Sequence, residues 1–173
     1  RQKADSIVFE AHSTDFQRDF AYGALVTDGF SILKVGPGLT FAMREAIFAL
    51  AGIEKEIVPP KDQSRLAETV RAVMMENPVH WRDYYKGPDQ ETLLFNSYSD
   101  RIRYYWPDHR IETAMAKLIA NLSATPLPDI LLSRHLPAQY ARVREGELKR
   151  QPEALILDKI RDVLRLYSDA CRI

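Results

Sequence analysis

The sequence predicts an α/β fold in which a short βα region, residues 1–60, leads into a mostly α-helical extension, residues 61–173. Three observations carry that prediction. Two short runs rich in β-formers, Ser-Ile-Val-Phe-Glu from Ser6 and Phe-Ser-Ile-Leu-Lys-Val from Phe30, flank a segment with helical spacing. The second run passes directly into Gly-Pro-Gly-Leu-Thr, a turn suited to joining a strand to a helix. After Thr40 the apolar residues recur at helical intervals nearly to the end of the chain.

Taken in order, the run from Ser6 to Glu10 reads as a strand buried on both faces. A polar turn, Ala11 to Asp15, follows it. Phe16, Phe20, Leu25 and Val26 then sit at loose helical spacing until Asp28-Gly29 ends the segment. Strand, helix and strand make a βαβ unit, which requires parallel strands and a right-handed crossover. Phe41, Ile47, Phe48, Leu50, Ala51 and Ile57 predict one broad helix, stopped by Pro59-Pro60. Leu66, Val70, Val73 and Met74 mark a helix from about Ser64 to Glu76. Asn77-Pro78 reads as an N-cap with proline at the first helical position, opening a short helix that carries Trp81, Tyr84 and Tyr85 and closes at Gly87. The three aromatic residues suit a core or a subunit interface. Another helix is expected from about Asp89 through Tyr98, continuing or restarting at Ser99 before Pro107. Ile111, Met115, Leu118, Ile119 and Leu122 form a clear stripe beyond it. Pro126, Pro128 and Pro137 punctuate the next segment, which closes near Gly146. Pro152 opens the last helix, with Ile156, Ile160, Val163, Leu164 and Tyr167 along one side.

Composition narrows the partners. Among 173 residues, 24 basic side chains balance 24 acidic ones, so nothing points to nucleic acid or an anionic membrane. No apolar run approaches the roughly 20 residues of a membrane span, and no signal-like segment opens the chain. A single cysteine, Cys171, forms no internal disulfide and fits a reducing, cytoplasmic setting. The first residue is Arg1, not Met, which suggests a chain that begins partway through a longer product.

Two parallel strands do not make a stable sheet, because parallel sheets need both faces covered and several neighbours. The missing strands are expected from another chain or from about 200 upstream residues, since a complete (β/α)8 barrel runs to about 250.

Four motifs, in order along nearly the whole chain, suggest where those strands belong. They are Phe9-Glu-Ala-His-Ser-Thr-Asp15; Ile32-Leu-Lys-Val-Gly-Pro37 with Leu39-Thr-Phe-Ala-Met-Arg-Glu-Ala46; Tyr98-Ser-Asp-Arg-Ile-Arg-Tyr-Tyr-Trp106; and Leu136-Pro-Ala-Gln-Tyr140. Together they resemble the Z-type subunit of class II D-tagatose-1,6-bisphosphate aldolase. The resemblance implies the last βα units of a TIM (β/α)8-like barrel followed by a helical C-terminal extension. It also implies an accessory, non-catalytic subunit that supports a separate zinc-dependent catalytic subunit in an oligomer. The reaction so implied is reversible cleavage of tagatose 1,6-bisphosphate to dihydroxyacetone phosphate and glyceraldehyde 3-phosphate, in galactitol or amino-sugar catabolism. The alternative is a sugar-phosphate-binding enzyme in its own right. The tagatose-6-phosphate kinase label that some relatives carry finds no support in the residues, which contain no G-x-x-x-x-G-K-S/T loop.

The candidate site residues follow the strand ends, where α/β proteins bind ligands. His12 stands where related catalytic aldolases present a zinc-binding histidine, with Asp15 three residues on; the alternative is a histidine hydrogen-bonded at the barrel rim. Lys34 is a candidate Schiff-base nucleophile or, more in keeping with a class II family, a phosphate-contacting ammonium. Gly36 and Gly38 allow close approach to the backbone, and a helix starting near Thr40 would aim its free N–H groups at the phosphate of a ketose. Arg101 and Arg103, among Asp100, Tyr104, Tyr105 and Trp106, suggest a clamp for a sugar phosphate; the alternative is a helix end whose arginines pair with carboxylates.

Overall fold

The computed structural model describes residues 7–172, so Ser6, the expected first residue of the opening strand, lies outside the described residues. Strands β1 (Phe9–Ala11) and β2 (Phe30–Leu33) pair in parallel and are joined by helix α1 (Asp19–Thr27). The pairing sets Glu10 opposite Ile32 and Ala11 opposite Leu33. The molecule is thus a mostly helical α/β structure with a small parallel sheet.

The strands are not buried on both faces, contrary to the reading of their apolar runs. Val8 is 63% exposed, Phe9 59% and Ile32 45%. Neighbouring strands and flanking helices normally cover such residues, and two strands with one short crossover supply too few. Phe16 stands outside α1, in a left-handed conformation with φ of 61°, so the helix starts three residues later than its apolar spacing suggests.

Helix α2 (Gly38–Ile57) organises the rest. Its fully buried Ala46, Leu50 and Ile53 belong to one hydrophobic cluster that continues through Leu66, Ile102, Leu118 and Leu155. Around it come α3 (Leu66–Glu76), a 3₁₀ turn at Pro78–His80, α4 (Gln90–Asn96), a second 3₁₀ turn at Arg101–Tyr104, α5 (His109–Ala124), α6 (Asp129–His135), α7 (Pro137–Arg144) and α8 (Pro152–Ala170). Helix α8 returns along both α1 and α2, tying the extension to the βα region. Glu54 on α2 is buried and accepts hydrogen bonds from Ser64 N, Ser64 Oγ and Asn121 Nδ2, linking α2 to the start of α3 and to α5.

Several local expectations need correction. Asn77 caps nothing with its side chain; its carbonyl accepts the Tyr105 hydroxyl instead, and the expected short helix is a single 3₁₀ turn, Pro78–His80. Trp81 is anchored by its indole N–H, which donates to the Met74 carbonyl at 2.7 Å. The helix expected through Tyr98 stops at Asn96, because Ser97 turns extended with ψ of 137°. On α8 the buried side runs through Leu155, Asp158 and Tyr167, whereas Leu164 is 43% exposed. Among the described residues no helix is long and apolar enough to cross a membrane.

Candidate functional site

Three polar side chains meet at the carboxyl ends of the strands. Glu10 lies on β1, His12 one residue past it, and Lys34 one residue past β2. Side chains two apart on an extended chain share a face, which brings Glu10 and His12 together; parallel pairing sets Lys34 beside them. Glu10 Oε1 is 2.6 Å from His12 Nε2 and 2.9 Å from Lys34 Nζ. The hydrogen bond from Lys34, and then that from His12, holds the Glu10 carboxyl below its ordinary range. Lys34 is half-exposed, so its ammonium is solvated as well as paired.

The glycine turn has an occupant of its own. Asp15 accepts from Gly36 N at 2.7 Å and Gly38 N at 3.2 Å, so one carboxylate takes two N–H groups at the start of α2. This is an N-cap supplied from 23 residues upstream, favourable against the positive end of the helix dipole. The helix begins at Gly38, and Thr40 turns its hydroxyl back to the Pro37 carbonyl at 3.1 Å. A Cβ at Gly36 would overlap Asp15 Oδ2, and one at Gly38 would stand 2.5 Å from Oδ1. The glycines therefore admit an internal carboxylate. Next to Asp15, the buried Thr14 hydroxyl donates to the Lys34 carbonyl and meets the Tyr167 hydroxyl, each at 2.8 Å.

His12, Asp15, Lys34 and Gly36 line one cleft of about 520 Å³. Its other walls include Phe16, Tyr98 and Ser99. Gly38 is buried and borders a neighbouring cavity of about 410 Å³ that shares Asp15 and Phe16. Arg101 and Arg103 line neither of these two spaces.

The sequence reading passed over Glu10, which the alternation Glu10-Ala11-His12 would have flagged. It also gave no role to the aromatic wall. Tyr98 stacks on Phe41 with centroids 5.2 Å apart, and Phe16 meets both rings at 4.7 and 5.3 Å. Ser13, Phe16 and Asp100 all have left-handed backbones, with φ of 55°, 61° and 46°. Such conformations persist in bulky residues only where surrounding contacts fix them. Behind the wall lies a fully buried ion pair, Arg44 to Asp100, at 3.1 Å. Arg44 also donates to the Ser97 carbonyl and sits 4.4 Å from the Phe41 ring centroid. Burial pushes the Asp100 carboxyl up, against the pull of the Arg44 charge.

As chemistry, the cleft offers an ammonium and an imidazole that suit an anionic or hydroxylated ligand. It does not fit zinc from these residues alone. A catalytic zinc takes three protein ligands, and no three His, Cys, Asp or Glu side chains converge among the described residues. Glu10, the one carboxylate on His12, is also committed to Lys34.

Comparison with known proteins adds a family to this geometry. The model of the GatZ/KbaZ-like D-tagatose-1,6-bisphosphate aldolase subunit matches residues 2–172. The chain is 52% identical over 167 residues to the D-tagatose-1,6-bisphosphate aldolase subunit GatZ of Klebsiella pneumoniae subsp. pneumoniae, a match covering 95% of this chain and 40% of that relative. Its structure is similar, with a TM-score of 0.90 and 46% identity, to the crystal structure of a probable tagatose 6 phosphate kinase from Sinorhizobium meliloti, covering 98% of this chain and 44% of that one. The chain thus spans about two fifths of the length of both.

Proposed function

The chain belongs to the GatZ/KbaZ-like family of D-tagatose-1,6-bisphosphate aldolase subunits, and on that premise we propose that it serves as part of an accessory, non-catalytic subunit in the cytoplasm. In this reading it supports a separate catalytic subunit that reversibly cleaves tagatose 1,6-bisphosphate to dihydroxyacetone phosphate and glyceraldehyde 3-phosphate, in galactitol or amino-sugar catabolism. The observation that carries it is the family match over residues 2–172.

We read β1 and β2 as the last two strands of a TIM-like barrel, with residues 1–60 completing its wall and residues 61–173 packed outside. Support comes from the apolar side chains of Val8, Phe9 and Ile32, which the two-stranded sheet leaves uncovered. Further strands on this sheet would bury them.

One observation favours a second reading, a sugar-phosphate site in its own right. Glu10, His12 and Lys34 converge at the strand ends, where barrel enzymes bind substrate. Lys34 and His12 would hold the phosphate or a ketose hydroxyl. Phosphate would reach the Gly36 and Gly38 N–H groups only by displacing Asp15.

A coupled cleavage assay on the full-length protein, alone and with the catalytic subunit, separates the two. The accessory reading predicts no turnover alone and increased turnover of the partner. Turnover by the isolated protein that disappears in Lys34→Ala and His12→Ala variants would establish the second reading instead.

A further inference from the structure

Tyr84, Arg101, Tyr104 and His80 form a layered stack in the helical extension. The Arg101 guanidinium carbon lies 3.2 Å from the Tyr84 ring centroid and 5.7 Å from that of Tyr104. Tyr104 in turn stacks on His80 at 4.8 Å. The stack faces outward: Tyr84 is 62% exposed and Tyr104 44%, and Val79, on the same 3₁₀ turn as His80, is 66% exposed.

The two arginines of this region differ in what they have left to donate. Arg103 gives hydrogen bonds to the carbonyls of Ser99 and Asp100 and to the Tyr104 hydroxyl. Arg101 donates no side-chain hydrogen bond to any described residue and forms no ion pair with a described carboxylate; its Nε is enclosed without a partner. The expected pairing of these arginines with carboxylates is therefore absent among the described residues. The other arginines packed into the fold, Arg44, Arg110 and Arg142, each reach one.

A guanidinium held over an aromatic ring is already ordered, so little freedom is lost when its edge meets a carboxylate in a two-pronged pair. Exposed tyrosines around an arginine are also the composition of interface hot spots. A free anion would satisfy Arg101 but leave Tyr84, Tyr104 and Val79 wet. A protein surface would cover all of them. We propose that the Tyr84–Arg101–Tyr104 stack is a docking surface for a protein partner presenting an aspartate or glutamate within an apolar rim. The partner is the catalytic aldolase subunit, an assignment that rests on the accessory reading above.

The test is a titration of the full-length protein with the catalytic subunit by analytical ultracentrifugation, at low and high salt. Arg101→Ala and Tyr84→Ala should each weaken the complex by about tenfold or more, with the melting temperature of the variant alone unchanged. Wild-type affinity should fall more steeply with salt than that of Arg101→Ala, as expected for a lost ion pair. Undiminished affinity in both variants would overturn the docking surface while leaving the accessory reading intact. A wild-type protein that does not associate at all would overturn both. A lowered melting temperature of both isolated variants would assign the stack to internal packing. Release of the complex by millimolar inorganic phosphate, without a matching effect of chloride at the same ionic strength, would assign Arg101 to a small anion. Either result counts against the proposal.

Discussion

Asp15 shows how one side chain can change the meaning of a loop. Its carboxylate fills the glycine turn that would otherwise present N–H groups to a ligand. Asp15→Ala should cost about 0.5–2 kcal/mol, the range for loss of a helix cap, read by denaturant unfolding. Gly36→Ala should destabilise as well, because the new methyl group overlaps the same carboxylate. The Arg44–Asp100 pair makes a sharper prediction. With both residues fully buried, Arg44→Met alone should cost about 3–5 kcal/mol by stranding a buried charge. Adding Asp100→Asn should recover part of that loss, a coupling that a double-mutant cycle measures. Tyr167 sets an alkaline limit. Burial pushes its hydroxyl up to about 12 from an ordinary value near 10. The unfolded chain then releases this proton first, so the Tyr167 contribution is full below about pH 10 and is lost as pH rises toward about 12. Tyr167→Phe should remove that part of the alkaline fall in stability; an unchanged pH profile would contradict the assignment.

Among the elements, α2 carries the most. Leu50 is fully buried at its centre, so Leu50→Ala should cost about 2–5 kcal/mol in equilibrium unfolding. This helix was legible in the sequence because a long amphipathic pattern ends in a Pro-Pro stop. The α5 stripe was legible for the same reason: Ile111, Leu118 and Leu122 are buried where the spacing puts them. Short elements were harder. Between Asn77 and Tyr105 the chain is held by side-chain bonds to distant backbone, such as Trp81 to Met74 and Tyr105 to Asn77, which periodicity does not register. The cleft was half legible. His12, Asp15, Lys34 and Gly36 could be named from their position after strands, and they do line one space. That Asp15 would occupy the glycine turn, or that Arg44 would pair with Asp100 some 56 positions on, depends on tertiary approach and leaves no local pattern.

For the whole molecule, the uncovered faces point outward from a well-packed helical interior. The sheet side exposes Val8, Phe9 and Ile32; elsewhere tyrosines stack around a guanidinium that meets no carboxylate among the described residues. Both features suit a body that is completed by further strands and by a partner. The function proposed for it is support of another subunit, and the protected lifetime of that subunit's activity measures this support most directly. Cleavage of tagatose 1,6-bisphosphate by the catalytic subunit should be followed over hours of incubation, with and without an equimolar amount of the full-length protein. The accessory reading predicts a longer half-life of activity in the mixture and no cleavage by the full-length protein alone. An unchanged half-life, or cleavage by the full-length protein on its own, would contradict it.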